Sequence, residues 1–187
     1  GRLIPMMAPH ATDTHTPETM AALLAAAKEL KSGVHIHLSQ SARETETVKR
    51  LWGATPAAWL ERLGFYEVPV FAAHLSGIEG PGDLDILKRH KAVYSHCPSA
   101  GGAGGGGGMQ PYPEALAAGL PVNIGIDTHS NDYLENLKLA VILGRTRARL
   151  VQALGGKQPV KQPTIWAAVD GSTRQTADAL GRKDLGR

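Results

Sequence analysis

The sequence predicts an α/β chain with parallel strands, arranged as part of a (β/α)8 TIM barrel. Three observations carry that expectation. Apolar strand-like runs alternate with helical patterns along the whole chain, and such alternation pairs strands in parallel. Each run ends at, or just before, a His or an Asp: His10, His37, His74, His96 and Asp127. A barrel draws its working side chains from the C-terminal ends of several different strands, whereas an open doubly wound sheet gathers them at one switch point. The glycine run at residues 100–108 has neither the GxGxxG register nor a Walker lysine, which further favours the barrel.

The elements follow in order. Residues 2–9 (RLIPMMAP) read as a short strand running into HATDTHTPE. Thr16, Pro17 and Glu18 then start a helix: a hydroxyl cap, Pro at the first position and an acid in the first turn. Residues 33–40 (GVHIHLSQ) alternate as a strand does, with His35, His37 and Ser39 on one face and Val34, Ile36 and Leu38 on the other. Residues 41–52 form a polar amphipathic helix, and Thr55-Pro56 opens another that ends at Gly64. A third strand is expected at 68–76 and a charged helix at 83–91. Residues 92–99 make the fourth strand, a short helix covers 113–119, and the fifth strand covers 121–128. Helices at 133–154 and 165–180 complete the chain.

Composition narrows the function classes. At 187 residues with 42% hydrophobic residues, the chain can build one domain with a real core. The formal charge is only +3, and Arg145, Arg147 and Arg149 read as a solvated helix face, so no nucleic-acid partner is expected. Cys97 is the single cysteine, which excludes an internal disulfide and fits a reducing compartment. No apolar run approaches the length of about 18 residues that spans a membrane, and no signal-peptide pattern is present. A soluble, cytoplasmic protein is expected, with a homo-oligomer left open.

The most informative stretch is GVHIHLSQ. A strand between two helical patterns is normally buried on both faces, and buried strands rarely carry polar groups without partners. Two histidines and a glutamine there call for a metal or a substrate pocket. Histidine nitrogen and aspartate oxygen suit Zn²⁺, with Fe²⁺ as the alternative, in a site that keeps one position for water.

Five segments, in order, resemble motifs of the amidohydrolase superfamily, in its cytosine/guanine deaminase and triazine chlorohydrolase branch. APHATDTHTPE resembles the fourth-strand motif, which implies that His10 contacts substrate. HIHLSQ resembles the fifth-strand motif and implies that His37 ligates the metal. VFAAHLSG resembles the sixth, with His74 beside the attacked carbon, and YSHCPSA resembles the seventh, with His96 lining the pocket. NIGIDTHSND resembles the eighth, which implies that Asp127 binds the metal and handles the proton. The resemblance thus implies a metal-dependent hydrolase acting on C–N or related bonds of a small nitrogen-containing molecule, without distinguishing deamination, dechlorination and amide cleavage.

Two departures stand out. The superfamily's first-strand HxH pair and its small β-sandwich domain are absent, so residues 1–187 are expected to be a single catalytic-barrel fragment. The alternative function is that of a catalytically incomplete fragment that only binds a ligand or partner. At the position where the deaminases of this branch carry a glutamate stands Gln40. An amide has no accessible pKa for proton transfer, but it can orient a substrate by hydrogen bonding.

Other residues receive structural readings. His35 shares the face of His37 without ligating, and His15, His90 and His129 are surface or capping groups, although His129 sits close enough to Asp127 to line the pocket. Cys97 is a small buried hydrophobe, and Ser130 and Asn131 cap the following helix. Residues 100–108 are expected to lack a fixed backbone and to act as a loop over the barrel mouth.

Overall fold

The computed structural model of the chain describes residues 3–103 and 109–186. The chain divides into two compact units, Gly1–Ala92 and Val93–Arg187.

The first unit is built on two parallel strands, β1 (Val34–Leu38) and β2 (Val70–His74), paired in register from Val34 opposite Val70 to Leu38 opposite His74. Val34, Ile36 and Leu38 point into the core while His35 and His37 occupy the other face, as the alternation requires. The strand expected at residues 2–9 does not form. Only two isolated parallel bridges join this segment to β1, Met7 with Val34 and Ala11 with His37. Pro5 and Pro9 explain the interruption, because neither has an N–H to donate to a ladder.

Helices α1 (Pro17–Glu29), α2 (Ala42–Trp52), α3 (Pro56–Arg62) and α4 (Pro81–Arg89) complete this unit. Thr16, Ser41 and Thr55 cap the first three through their hydroxyl oxygens. Met20, Leu60 and Phe65 are fully buried beneath them, and each such side chain contributes about 1.5–3 kcal/mol of hydrophobic stabilisation.

The second unit holds the parallel pair β3 (Val93–His96) and β4 (Val122–Ile124), with Tyr94 opposite Val122 and His96 opposite Ile124. Helices α5 (Pro98–Ala103), α6 (Tyr112–Ala118), α7 (Tyr133–Ala153), α8 (Ile165–Asp170) and α9 (Thr176–Ala179) surround it. The start of the glycine-rich run is therefore helical, contrary to expectation. The remainder of the expected loop, residues 104–108, lies outside the described residues.

The expected final helix is one helical path with a π-helical turn at Gly171–Gln175 between α8 and α9. The turn packs directly against the start of β4. A Cβ on Gly171 would lie 2.5 Å from the Val122 carbonyl oxygen, so only glycine permits this approach. It also lets Gln175 Oε1 accept the Val122 N–H at 3.0 Å, which satisfies the start of β4.

The arginine face on α7 is only partly solvated. Arg147 donates to the buried Glu114 carboxylate at 2.7–3.0 Å, and Arg145 donates to the Pro163 carbonyl at 3.0 Å. Among the described residues, no helix is long and apolar enough to cross a membrane.

Candidate active site

In the first unit, three of the expected residues come together. The rings of His10 and His37 lie edge to face with centroids 4.8 Å apart, and those of His37 and His74 stack at 5.1 Å. His10 and His37 line a concavity of about 290 Å³ together with His35, Pro9 and Ala73. Backbone geometry explains the convergence. His37 sits beside the Ala11 bridge, and His74 is the last residue of β2.

The orientation of His37 follows from one carbonyl. The His10 oxygen accepts the His37 backbone N–H at 3.1 Å and faces the ring Nδ1 at 2.6 Å. A carbonyl can only accept, so Nδ1 carries the proton and the lone pair resides on Nε2. That tautomer leaves Nε2 able to ligate a metal, and the bond at Nδ1 is of the kind that orients ligating histidines. His35, on the same strand face, has its pKa lowered, first by partial burial of its ring and then by the neighbouring His37. Both effects favour the neutral ring in this cluster.

The His10 segment has a further anchor. His15 accepts the His10 N–H through Nε2 at 3.1 Å, so it braces the backbone as a capping group.

Gln40 is half-buried at the end of β1, and its N–H donates to Glu44 Oε2 at 2.7 Å. Glu44 Oε1 accepts from the Thr12 hydroxyl at 2.5 Å, and both Glu44 and Thr12 are fully buried. Burial raises the Glu44 pKa, while hydrogen bonds from Thr12, Gln40 and Ser39 oppose that rise. Sequence reasoning missed Glu44. Its signal was the Ser41-x-x-Glu44 capping pattern, in which the glutamate at the third helical position reaches back toward the cap.

In the second unit, His96 is buried and stacks on Tyr112 with centroids 4.6 Å apart. Gln110 spans the segment ends. Its Nε2 donates to the Cys97 carbonyl at 3.0 Å, and its Oε1 accepts the Cys97 N–H at 3.1 Å. These two bonds fix the amide orientation, so the same Oε1 accepts from His96 Nδ1 at 2.6 Å. His96 therefore carries its proton on Nδ1. Nothing in the sequence around Gln110 announces this role, because its partners come together only through the β3 turn.

Asp127 stands three residues beyond β4, not on it, in a left-handed conformation with φ 57°. Asp and His tolerate that region better than most residues. Two bonds hold the approach to it: Gly125 N–H to the His96 carbonyl at 2.8 Å, and the Tyr133 hydroxyl to the Ile124 carbonyl at 2.9 Å. Cys97 is buried nearby, and burial followed by the Asp127 charge pushes its thiol up to about 12. Its burial matches the small buried side chain expected at this position.

The cap of α7 is Asp132 rather than Ser130 or Asn131. Its carboxylate accepts from the Leu134 and Glu135 N–H groups. Ser130 instead donates to the Glu135 carboxylate, and His129 is exposed.

A profile of the amidohydrolase family matches residues 1–187. The chain belongs to the amidohydrolase family. This amidohydrolase is 36% identical over 190 residues to the 5-methylthioadenosine/S-adenosylhomocysteine deaminase of Moorella thermoacetica, matching all of this chain and 42% of that protein. Its structure resembles that of guanine deaminase from C. acetobutylicum with guanine bound, with a TM-score of 0.77 at 22% identity over 92% of this chain and 40% of that one. It also resembles the zinc complex of atrazine chlorohydrolase from Arthrobacter aurescens, with a TM-score of 0.79 at 23% identity over 96% and 38% of the two chains. The chain thus spans about 40% of the length of the proteins it matches. The expected fold class stands: α/β with parallel strands, covering part of a barrel of this family.

Proposed function

We propose that this amidohydrolase chain contributes the later strands of a metal-dependent hydrolase acting on C–N or related bonds of a small nitrogen-containing substrate. The observation that carries this reading is the His37 imidazole, held by the His10 carbonyl with its Nε2 lone pair available. His37 and Asp127 would hold a divalent ion, with Zn²⁺ the best fit to one nitrogen and one oxygen donor and Fe²⁺ the alternative. Zinc-bound relatives of the same fold support that assignment. When bound, such an ion supplies a water whose pKa falls to about 7, so that hydroxide forms at neutral pH.

The chain's own residues would do the rest. The Asp127 carboxylate would accept the proton of the attacking water and return it to the leaving group. His74, stacked on His37, would polarise the substrate at the attacked carbon. His10 would line the substrate pocket. His96 would offer Nε2 to the substrate, since its Nδ1 proton is committed to Gln110. Gln40 would orient a carbonyl or ring nitrogen without cycling a proton. The deaminase relatives support amine hydrolysis, whereas Gln40 favours displacement or amide-type cleavage. A buried, single thiol fits a cytoplasmic setting.

The second reading, a fragment that only binds a ligand or partner, draws on the share of its relatives' length that the chain covers. Metal analysis separates the two. After exhaustive dialysis, about one Zn or Fe per chain is expected, with loss of the metal in both His37→Ala and Asp127→Ala. A metal-free parent chain overturns the hydrolase reading and leaves the binding one.

A further inference from the structure

We propose that Glu44 is a positioning residue for the His10–His37 pair, acting through Thr12. This deepens the reading of the same site, and it rests on that reading only for its consequence for a metal.

The His10 carbonyl can aim His37 only if the segment carrying it is fixed. Three backbone bonds join that segment to β1: Met7 N–H to Gly33, His35 N–H to Met7 and His37 N–H to His10. Beyond Ala11 the chain turns away, with Thr14 N–H bonded back to Ala11. There the Thr12 hydroxyl reaches Glu44 Oε1 at 2.5 Å. The other carboxylate oxygen takes the Gln40 N–H at 2.7 Å, just past the end of β1. One carboxylate thus ties together the two chain segments that carry His10 and His37.

The tie lies in a place where it counts. Thr12, Ser39 and Glu44 are all essentially buried, and a donor left unpaired there faces no water. Two donors face two oxygens, so an apolar replacement breaks both bonds at once. Helix α2 supplies the rigidity, since Ser41 caps it by accepting the Glu44 N–H at 3.2 Å.

The test reads the His37 tautomer directly, by long-range ¹H–¹⁵N NMR of the metal-free chain above the ordinary imidazole pKa of about 6.5. In the parent chain the Nδ1–H form dominates. In Thr12→Val, which keeps the shape and removes the hydroxyl, it falls to the mixed population of a free imidazole. Glu44→Met gives the same fall, and Thr12→Ser restores the parent spectrum. Unchanged His37 signals in folded Thr12→Val overturn the proposal, and so does a Thr12→Ser spectrum that matches Thr12→Val. If Glu44→Met does not fold, the two Thr12 variants decide alone. Because the readout needs no metal, a metal-free parent chain would defeat the hydrolase reading while leaving this one standing or falling on its own spectra.

Discussion

Gly125→Ala tests whether the path to Asp127 is set by packing against Cys97. A Cβ at Gly125 would lie 2.8 Å from Cys97 Sγ, so the sulfur or the strand end must move by more than half an ångström to reach ordinary contact at about 3.4–4 Å. Overpacking of this kind costs about 1–3 kcal/mol. Gly125 has no positive φ among the described glycines, so alanine also restricts the unfolded chain and returns about 0.4–1 kcal/mol. The net expectation is a loss of about 1–2 kcal/mol. Cys97→Ala removes the obstructing atom, and the double variant should recover part of the loss, with a coupling of about 1 kcal/mol or more. Urea unfolding of the parent, both single variants and the double variant measures all four stabilities. Full additivity would refute the packing argument, as would a Gly125→Ala protein as stable as its parent.

Two further outcomes follow from the site. Gln40→Glu installs a group able to carry a proton to a ring nitrogen, which general acid–base catalysis values at about 10²-fold or more. In the active enzyme it should raise amine hydrolysis relative to displacement on a panel of amino- and chloro-substituted heterocycles, and identical rates on every substrate would defeat the assignment of Gln40 to the substrate. The Glu44 carboxyl has its pKa raised from 4.5 by burial, so between 4.5 and the raised value the folded chain binds more protons than the unfolded one. Stability is fullest below that window and falls as pH rises through it. Glu44→Met should therefore differ from the parent by a stability gap that changes with pH, measured from denaturant midpoints, whereas a constant gap would contradict the shift. Carboxylates lowered by their partners, such as Glu61 beside His90 and Arg89, contribute the opposite slope to both proteins and cancel in the difference.

Much of this architecture was legible because it rests on period and punctuation. Alternation in VHIHL placed β1 and its buried face, and Thr16, Ser41 and Thr55 marked helix starts by a mechanism local to the sequence. The residues expected at the site fell near strand ends for the same reason. What escaped notice depends on partners distant in sequence. Thr12 and Glu44 are 32 positions apart, and each looks like ordinary loop or helix chemistry alone. Gln110 follows a glycine run, and its bonds to His96 and Cys97 exist only once β3 has turned. The π-helical turn was invisible because it answers a carbonyl on β4, 49 residues before Gly171. The first strand failed through two prolines whose missing donors outweighed its apolar pattern.

The aim of the candidate-site side chains is set as much by core residues as by those side chains themselves. At the end of β2, His74 and Leu75 both adopt left-handed backbone, with φ 74° and 58°. Each such residue costs roughly 1–2 kcal/mol for an L-amino acid, and histidine tolerates it better than leucine does. Leu75 is nevertheless fully buried, and its N–H donates to the Leu38 carbonyl at 3.1 Å. Burying a leucine side chain contributes about 1.5–3 kcal/mol, enough to offset its own strain. The same anchor fixes the reversal that turns His74 toward His37. Leu75 thus holds the chain directly after His74 by its burial and by its bond to the Leu38 carbonyl.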